Sequence, residues 1–114
     1  MQIQYLEIVT PNVEETCINY ELIHGLYFSK SDQRLGNART AMFENGGMIG
    51  VRAPMHDKEE PVIRPYTLVE DIEQAAAKAV KSGGEIAHPP YEIPGLGKFA
   101  IYIVGGNQHG LWQV

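Results

Sequence analysis

The feature that most constrains this chain is an internal repeat. Residues 6–13 read LEIVTPNV and residues 65–72 read PYTLVEDI, each an apolar run passing into the start of a helix. Further along, GGMIGVR at residues 46–52 is answered by GGNQHGLW at residues 105–112. Both halves therefore follow the order strand, helix, three strands. Two copies are too few for a solenoid, which needs more repeats to bury a continuous core. The repeat predicts an α+β chain made of a pseudo-two-fold pair, each half too small to cover the face of its own sheet. A length of 114 residues suits one domain rather than two independent cores. The expected division is module one at 1–53, a connector at 54–61 and module two at 62–114.

Local patterns fill in the modules. Residues 2–9 are rich in β-branched and aromatic side chains and predict a strand. Thr10 or Asn12 offers an oxygen to cap a helix, with Pro11 at its entrance. Val13, Cys17, Tyr20 and His24 recur at helical spacing, Ile18 and Leu22 widen that stripe, and Gly25 ends it. Residues 26–29, 38–43 and 48–53 predict three short strands. The connector, with APMHDKEE at residues 53–60, is polar and without periodicity, and predicts a solvated segment. In the second half, residues 62–69 predict a strand in which Pro65 removes one ladder donor, suggesting an edge or irregular position. Glu70 and Asp71 open a helix with a narrow stripe of Ile72, Ala75, Ala76, Ala79 and Val80, closed at Ser82, Gly83 and Gly84. A short strand at 85–87, a proline-rich loop at 89–97 long enough to act as a lid, and strands at 98–104 and 110–114 complete the pattern.

The βαβββ order given twice, the EIVTPNV phrase at residues 7–13, the AIYI run at 100–103 and the closing GLWQ at 110–113 act as one ordered set. In that combination the chain resembles the vicinal-oxygen-chelate superfamily of glyoxalases, bleomycin-resistance proteins and extradiol dioxygenases, over essentially its whole length. It is most like the small, little-characterised bacterial members. The resemblance implies two modules forming a curled mixed sheet around a cavity, helices outside, commonly completed as a homodimer. It also implies a divalent metal held by four side chains, usually His or Glu, which polarises neighbouring oxygens of a substrate. The matching positions here are Tyr5 (or Leu6, one residue on), Gly50 or Val51, Arg64 and Gly110. Glycine, valine and leucine supply no ligand, and a guanidinium stays protonated and repels a cation. The resemblance therefore implies the scaffold without its usual metal site. No cofactor is expected, and a divalent metal would need relocated ligands.

Other residues carry candidate chemistry. Arg39, Arg52 and Arg64 each interrupt a predicted strand otherwise made of apolar and small residues. Alternation places Arg64, Tyr66 and Leu68 on one face. If that face is the cavity, Arg64 stands where the family keeps a ligand and could hold an anionic oxygen by bidentate contacts. A structural pair with Glu7, on the neighbouring strand, is an equal alternative. Glu7 is also the best candidate for a general base, should any reaction be catalysed. Tyr5, Tyr66, Tyr102 and Trp112 offer flat walls to a planar ligand, and His109 is the histidine best placed to face the cavity. His24 reads as a helix-end residue, His56 as part of the connector and His88 as a loop residue near the cavity mouth. Cys17 lies on the apolar stripe and reads as a small buried hydrophobe.

Composition narrows the partners. A formal net charge of −5 opposes nucleic acid or anionic lipid. Apolar runs are a handful of residues, so no membrane span is predicted. The opening MQIQYLEIV predicts no signal peptide. A single cysteine fits a reducing, cytoplasmic setting. Three readings follow: a metal-independent binder of a small anionic or planar molecule, a metal-dependent lyase, isomerase or dioxygenase with relocated ligands, and a structural or regulatory protein whose cavity its own side chains fill.

Overall fold

The computed structural model describes all 114 residues. They divide into two compact units, Tyr5–Ile63 and Arg64–Val114 joined by Met1–Gln4. The N-terminal residues reach the second unit through a bond from Leu68 N to Gln2 O of 2.8 Å.

Module one consists of β1 (Ile3–Val9), α1 (Val13–His24), β2 (Ser31–Asp32), a 3₁₀ turn at Gln33–Leu35, β3 (Ala38–Met42) and β4 (Met48–Arg52). β4 runs parallel to β1 and antiparallel to β3, which carries the short β2. The register sets Tyr5 against Met48, Glu7 against Gly50 and Val9 against Arg52. Strand alternation then splits the module into two faces. Ile8, Ala41, Ile49 and Val51 turn toward α1 and bury Cys17 and Phe28 with them. Tyr5, Glu7, Gly50 and Arg52 share the opposite face.

α1 ends where the glycine permits it to. Gly25 takes the left-handed conformation at φ 68° and returns its N–H to Glu21 O. Asn12 stands at the N-cap without a side-chain bond to the helix, and Thr10 Oγ1 instead accepts from Asn12 N at 3.1 Å. Ile18 and Leu22, expected to widen the buried stripe, are 53% and 80% exposed. From α1 only Val13, Cys17 and Tyr20 pack into the core against the sheet. The strand expected at 26–29 also does not form. Ser29 N bonds Thr40 O, but the carbonyls of Ser29 and Phe28 go to the Arg39 guanidinium rather than to a strand ladder.

Module two consists of β5 (Val62–Leu68), α2 (Ile72–Lys81), β6 (Glu85–Ile93), β7 (Gly97–Val104) and β8 (Asn107–Gln113). β5 is parallel to β8, and β7 lies antiparallel between β8 and β6. The β5–β8 ladder runs from Tyr66 to Leu68 and leaves Pro65, which has no N–H to give, outside it. Asp71 caps α2 by accepting from Gln74 N at 3.0 Å. Ile72 and Ala76 then pack on Ala100 and Leu111.

Two boundaries differ from expectation. β6 does not stop at residue 87 but continues through Pro89 and Pro90 to Ile93, so the lid expected at 89–97 shrinks to a turn at 94–96. Two register shifts, between Ile86 and His88 and between His88 and Tyr91, let the strand absorb both prolines. The last strand starts at Asn107 rather than 110, because Gly105 and Gly106 both take positive φ (62° and 76°) and make a two-residue hairpin with β7. Both modules nonetheless keep the βαβββ order, and the chain is α+β. No helix is long and apolar enough to cross a membrane.

Candidate functional site

In module one the chemistry gathers on Arg52. It sits at the end of β4, 5% exposed, on the face away from α1. Its Nε donates to Glu7 Oε2 at 2.8 Å. Its two terminal nitrogens meet Glu59 as a fork, Nη1 to Oε1 at 2.8 Å and Nη2 to Oε2 at 2.7 Å. Glu59 Oε1 also accepts from Met55 N, and Arg52 Nη1 reaches Ala53 O. The Glu59 hydrogen bonds outweigh burial and push the Arg52 guanidinium up, with Glu7 adding to the effect. The same fork, against some desolvation, pulls the Glu59 carboxyl down to about 2. Glu59 belongs to the connector, which sequence patterning marks as merely solvated; one acid in an acidic run gives no sign of its partner. Glu7, the candidate base, is 7% exposed with Oε2 committed to a cation.

In module two an aromatic array occupies the face away from α2. Tyr66 meets Trp112 edge-on at 5.9 Å and Phe99 at 6.3 Å. Phe99 lies 4.7 Å from His88, and Tyr91 closes on both rings at 6.0 Å and 6.2 Å. Register builds this set: Tyr66 pairs with Gly110, Trp112 with Phe99, and Phe99 with Tyr91. Tyr66 and Trp112 are buried, whereas Tyr91 is 61% exposed. Arg64 shares the face of Tyr66 by alternation and is itself buried. Phe99 and Tyr91 are additions that the sequence pattern did not single out, and His88 belongs to a strand rather than a loop.

Three candidates lie elsewhere. Arg39 is on the α1 side of its sheet, where Nη1 bonds Glu14 Oε2 of that helix at 2.8 Å. Tyr102 packs with the α2 core, and His109 stacks on it at 5.1 Å, with Nε2 3.2 Å from Val104 O. Neither Tyr102 nor His109 shares the face of Arg64, Tyr66 and Trp112, because positions 102 and 109 alternate to the helix side. Tyr5, Glu7 and Arg52 do share a face in module one, as Arg64, Tyr66 and Trp112 do in module two.

The metal that the resemblance implies finds no fit in these residues. Tyr5, Gly50, Arg64 and Gly110 supply no carboxylate or imidazole. The two glycines are also roofed over: a Cβ at Gly50 would overlap the Tyr5 phenol, and one at Gly110 would overlap the Tyr66 ring. The space in which a ligand side chain would begin is already filled, once in each module. No group of three or more His, Cys, Asp or Glu side chains comes together elsewhere in a form able to hold a metal ion.

Comparison with known proteins places the architecture. The chain has the vicinal-oxygen-chelate fold. Among solved structures, a hypothetical protein from Bacillus halodurans C-125 is similar at TM-score 0.76 and 12% identity, over 99% of this chain and 94% of that one. The methylmalonyl-CoA epimerase of Mycobacterium tuberculosis is similar at TM-score 0.73 and 14% identity, over 98% and 87%. A Streptomyces coelicolor methylmalonyl-CoA epimerase variant in complex with 2-nitronate-propionyl-CoA follows at TM-score 0.68 and 14% identity, over 99% and 96%. No family model and no curated protein matches the sequence.

Proposed function

We propose that this protein is a cytoplasmic, glyoxalase/bleomycin-resistance-like binder of a small planar or anionic molecule that works without the usual metal of its fold. The observation that carries the reading is the aromatic set on the face of module two away from α2. Tyr66 and Trp112 form its buried floor, and Phe99, His88 and Tyr91 lead outward to solvent. Rings set edge to face around a partly exposed phenylalanine suit a flat ligand, which would bury apolar area against them. Arg64, on the same face, supplies positive charge for an anionic substituent. A homodimer belongs to this reading, since a second copy would cover apolar surface that β6 and β7 leave half-exposed.

The test uses the protein's only tryptophan, Trp112. Titration with a planar anion such as 1-anilinonaphthalene-8-sulfonate, and with benzoate and indole, is expected to change Trp112 emission saturably. Phe99→Ala should weaken binding by about tenfold or more, a lost ring contact being worth over 1 kcal/mol, and Arg64→Ala should weaken the anions more than indole. Binding unaltered in Phe99→Ala would remove the reading.

A second reading has its own support. Tyr5 over Gly50, Tyr66 over Gly110 and the carboxylates around Arg52 are the chain's own side chains packed on the sheet faces away from the helices. A structural or regulatory protein filled by its own residues would look like this, and it predicts no saturable change in the same titration. An enzyme with a relocated metal would instead show stoichiometric zinc or nickel binding in untagged protein.

A further inference from the structure

We propose that the Arg52 guanidinium is a binding site for a small carboxylate, and that Glu59 of the connector occupies it as a built-in competitor. Its residues, Glu7, Arg52 and Glu59, all lie within the unit Tyr5–Ile63.

The geometry is that of a ligand contact made by the chain to itself. Two parallel N–H···O bonds of 2.8 and 2.7 Å are the fork-to-fork arrangement by which arginine recognises a carboxylate bidentately. Arg52 is buried and fixed: Glu7, from the middle of β1, holds Nε on the other edge of the guanidinium. The two carboxylates differ in how they are carried. Glu7 is part of a strand paired along its length with β4. Glu59 is delivered by residues 53–61, whose side chains are mostly exposed. The Glu59 carboxylate gathers that segment, receiving Met55 N as well as the arginine fork, while the rest of its bonding is local, Glu59 N to His56 O and Lys58 N to His56 Nδ1. Met55 rests over Gly36 beside the Arg52 stem, so a side chain at position 36 would collide with it.

Glu7 contacts Arg52 as well, so the guanidinium keeps a carboxylate partner when Glu59 leaves it. An incoming carboxylate that takes the fork replaces the Glu59 contact atom for atom, and the connector is released as it binds. The depressed Glu59 carboxyl means that the competitor is fully ionised at neutral pH. A tethered group competes at an effective concentration of about millimolar. The wild-type protein should therefore respond to small carboxylates only at high concentration.

The test uses acetate as probe, with sodium chloride at matched ionic strength as control. Glu59→Ala should gain an acetate-dependent rise in melting temperature at ~tenfold or more lower acetate than wild type. Glu59→Gln, which keeps the shape of the strap, should show a smaller gain in the same direction and covers the case in which the alanine variant folds poorly. Arg52→Lys in the Glu59→Ala background, lacking the fork, should abolish the gain. In wild type, acetate should accelerate endoproteinase Lys-C cleavage after Lys58, an exposed connector residue. Equal acetate responses in wild type and both Glu59 variants, or a response that sodium chloride reproduces, would overturn the proposal.

Discussion

Replacing Gly110 by alanine tests how closely the Tyr66 ring covers position 110. The added Cβ would be built into the Tyr66 ring, nearest Cδ2, Cγ and Cε2. Tyr66 is 4% exposed and hemmed by the edges of Trp112 and Phe99, so the ring cannot swing aside without disturbing both. Overpacking of this kind costs ~1–3 kcal/mol. Alanine recovers roughly 0.5–1 kcal/mol over glycine inside a strand. The net is a loss of about 1–2 kcal/mol, or roughly 4–8 °C in melting temperature for a chain of this size. Urea unfolding followed by Trp112 fluorescence reads this directly. In a Tyr66→Ala background the same methyl enters vacated space and should be neutral or stabilising, giving a coupling energy of about 1 kcal/mol or more. A Gly110→Ala protein as stable as wild type would refute the placement of the ring over position 110, and with it the argument that a ligand side chain has no room there.

Three further outcomes follow from contacts already described. Asp71→Ala removes the acceptor for Gln74 N and should cost ~0.5–2 kcal/mol, read by thermal or urea unfolding, whereas Asp71→Asn should recover most of it. Glu59 has its folded-state carboxyl lowered from 4.5 to about 2, so its stabilising effect is complete above pH ~4.5 and is lost as pH falls toward 2. Acid titration of stability should accordingly be shallower in Glu59→Gln across that window; identical slopes would contradict the fork. Burial pushes the Cys17 thiol up, and at 1% exposure it should react with a disulfide reagent at pH 8 far more slowly than in urea-unfolded protein.

The two βαβββ halves were legible because strand and helix periods, glycine stops and the repeat all pointed to the same elements. Gly25 and the Ile72 stripe are examples in which local chemistry and tertiary packing agree. The misread places share one cause: a tertiary partner decided them. Residues 26–29 have strand-like composition, yet Arg39 claims their carbonyls. Pro89 and Pro90 are ordinary loop signals, yet β6 carries them because two register shifts absorb them. The facing of the candidate residues was legible to the extent that alternation applied. It put Arg64 and Tyr66 on one face correctly, and would have put Arg39, Tyr102 and His109 on the helix side had the registers of β3, β7 and β8 been known. Glu59 had no periodic neighbour to reveal it, since its role depends on a residue seven positions away whose side chain points back toward the strap.

The prolines of β6 also bear on how copies of this chain could meet. β6 is the outer strand of its sheet, pairing with β7 alone. Pro89 and Pro90 are adjacent, so in a strand whose N–H groups alternate between its two edges one of them leaves the rim without a donor, and the paired irregularities break the even spacing that an added strand would need. Lateral growth of the sheet, strand onto strand, is thereby discouraged in the middle of this rim.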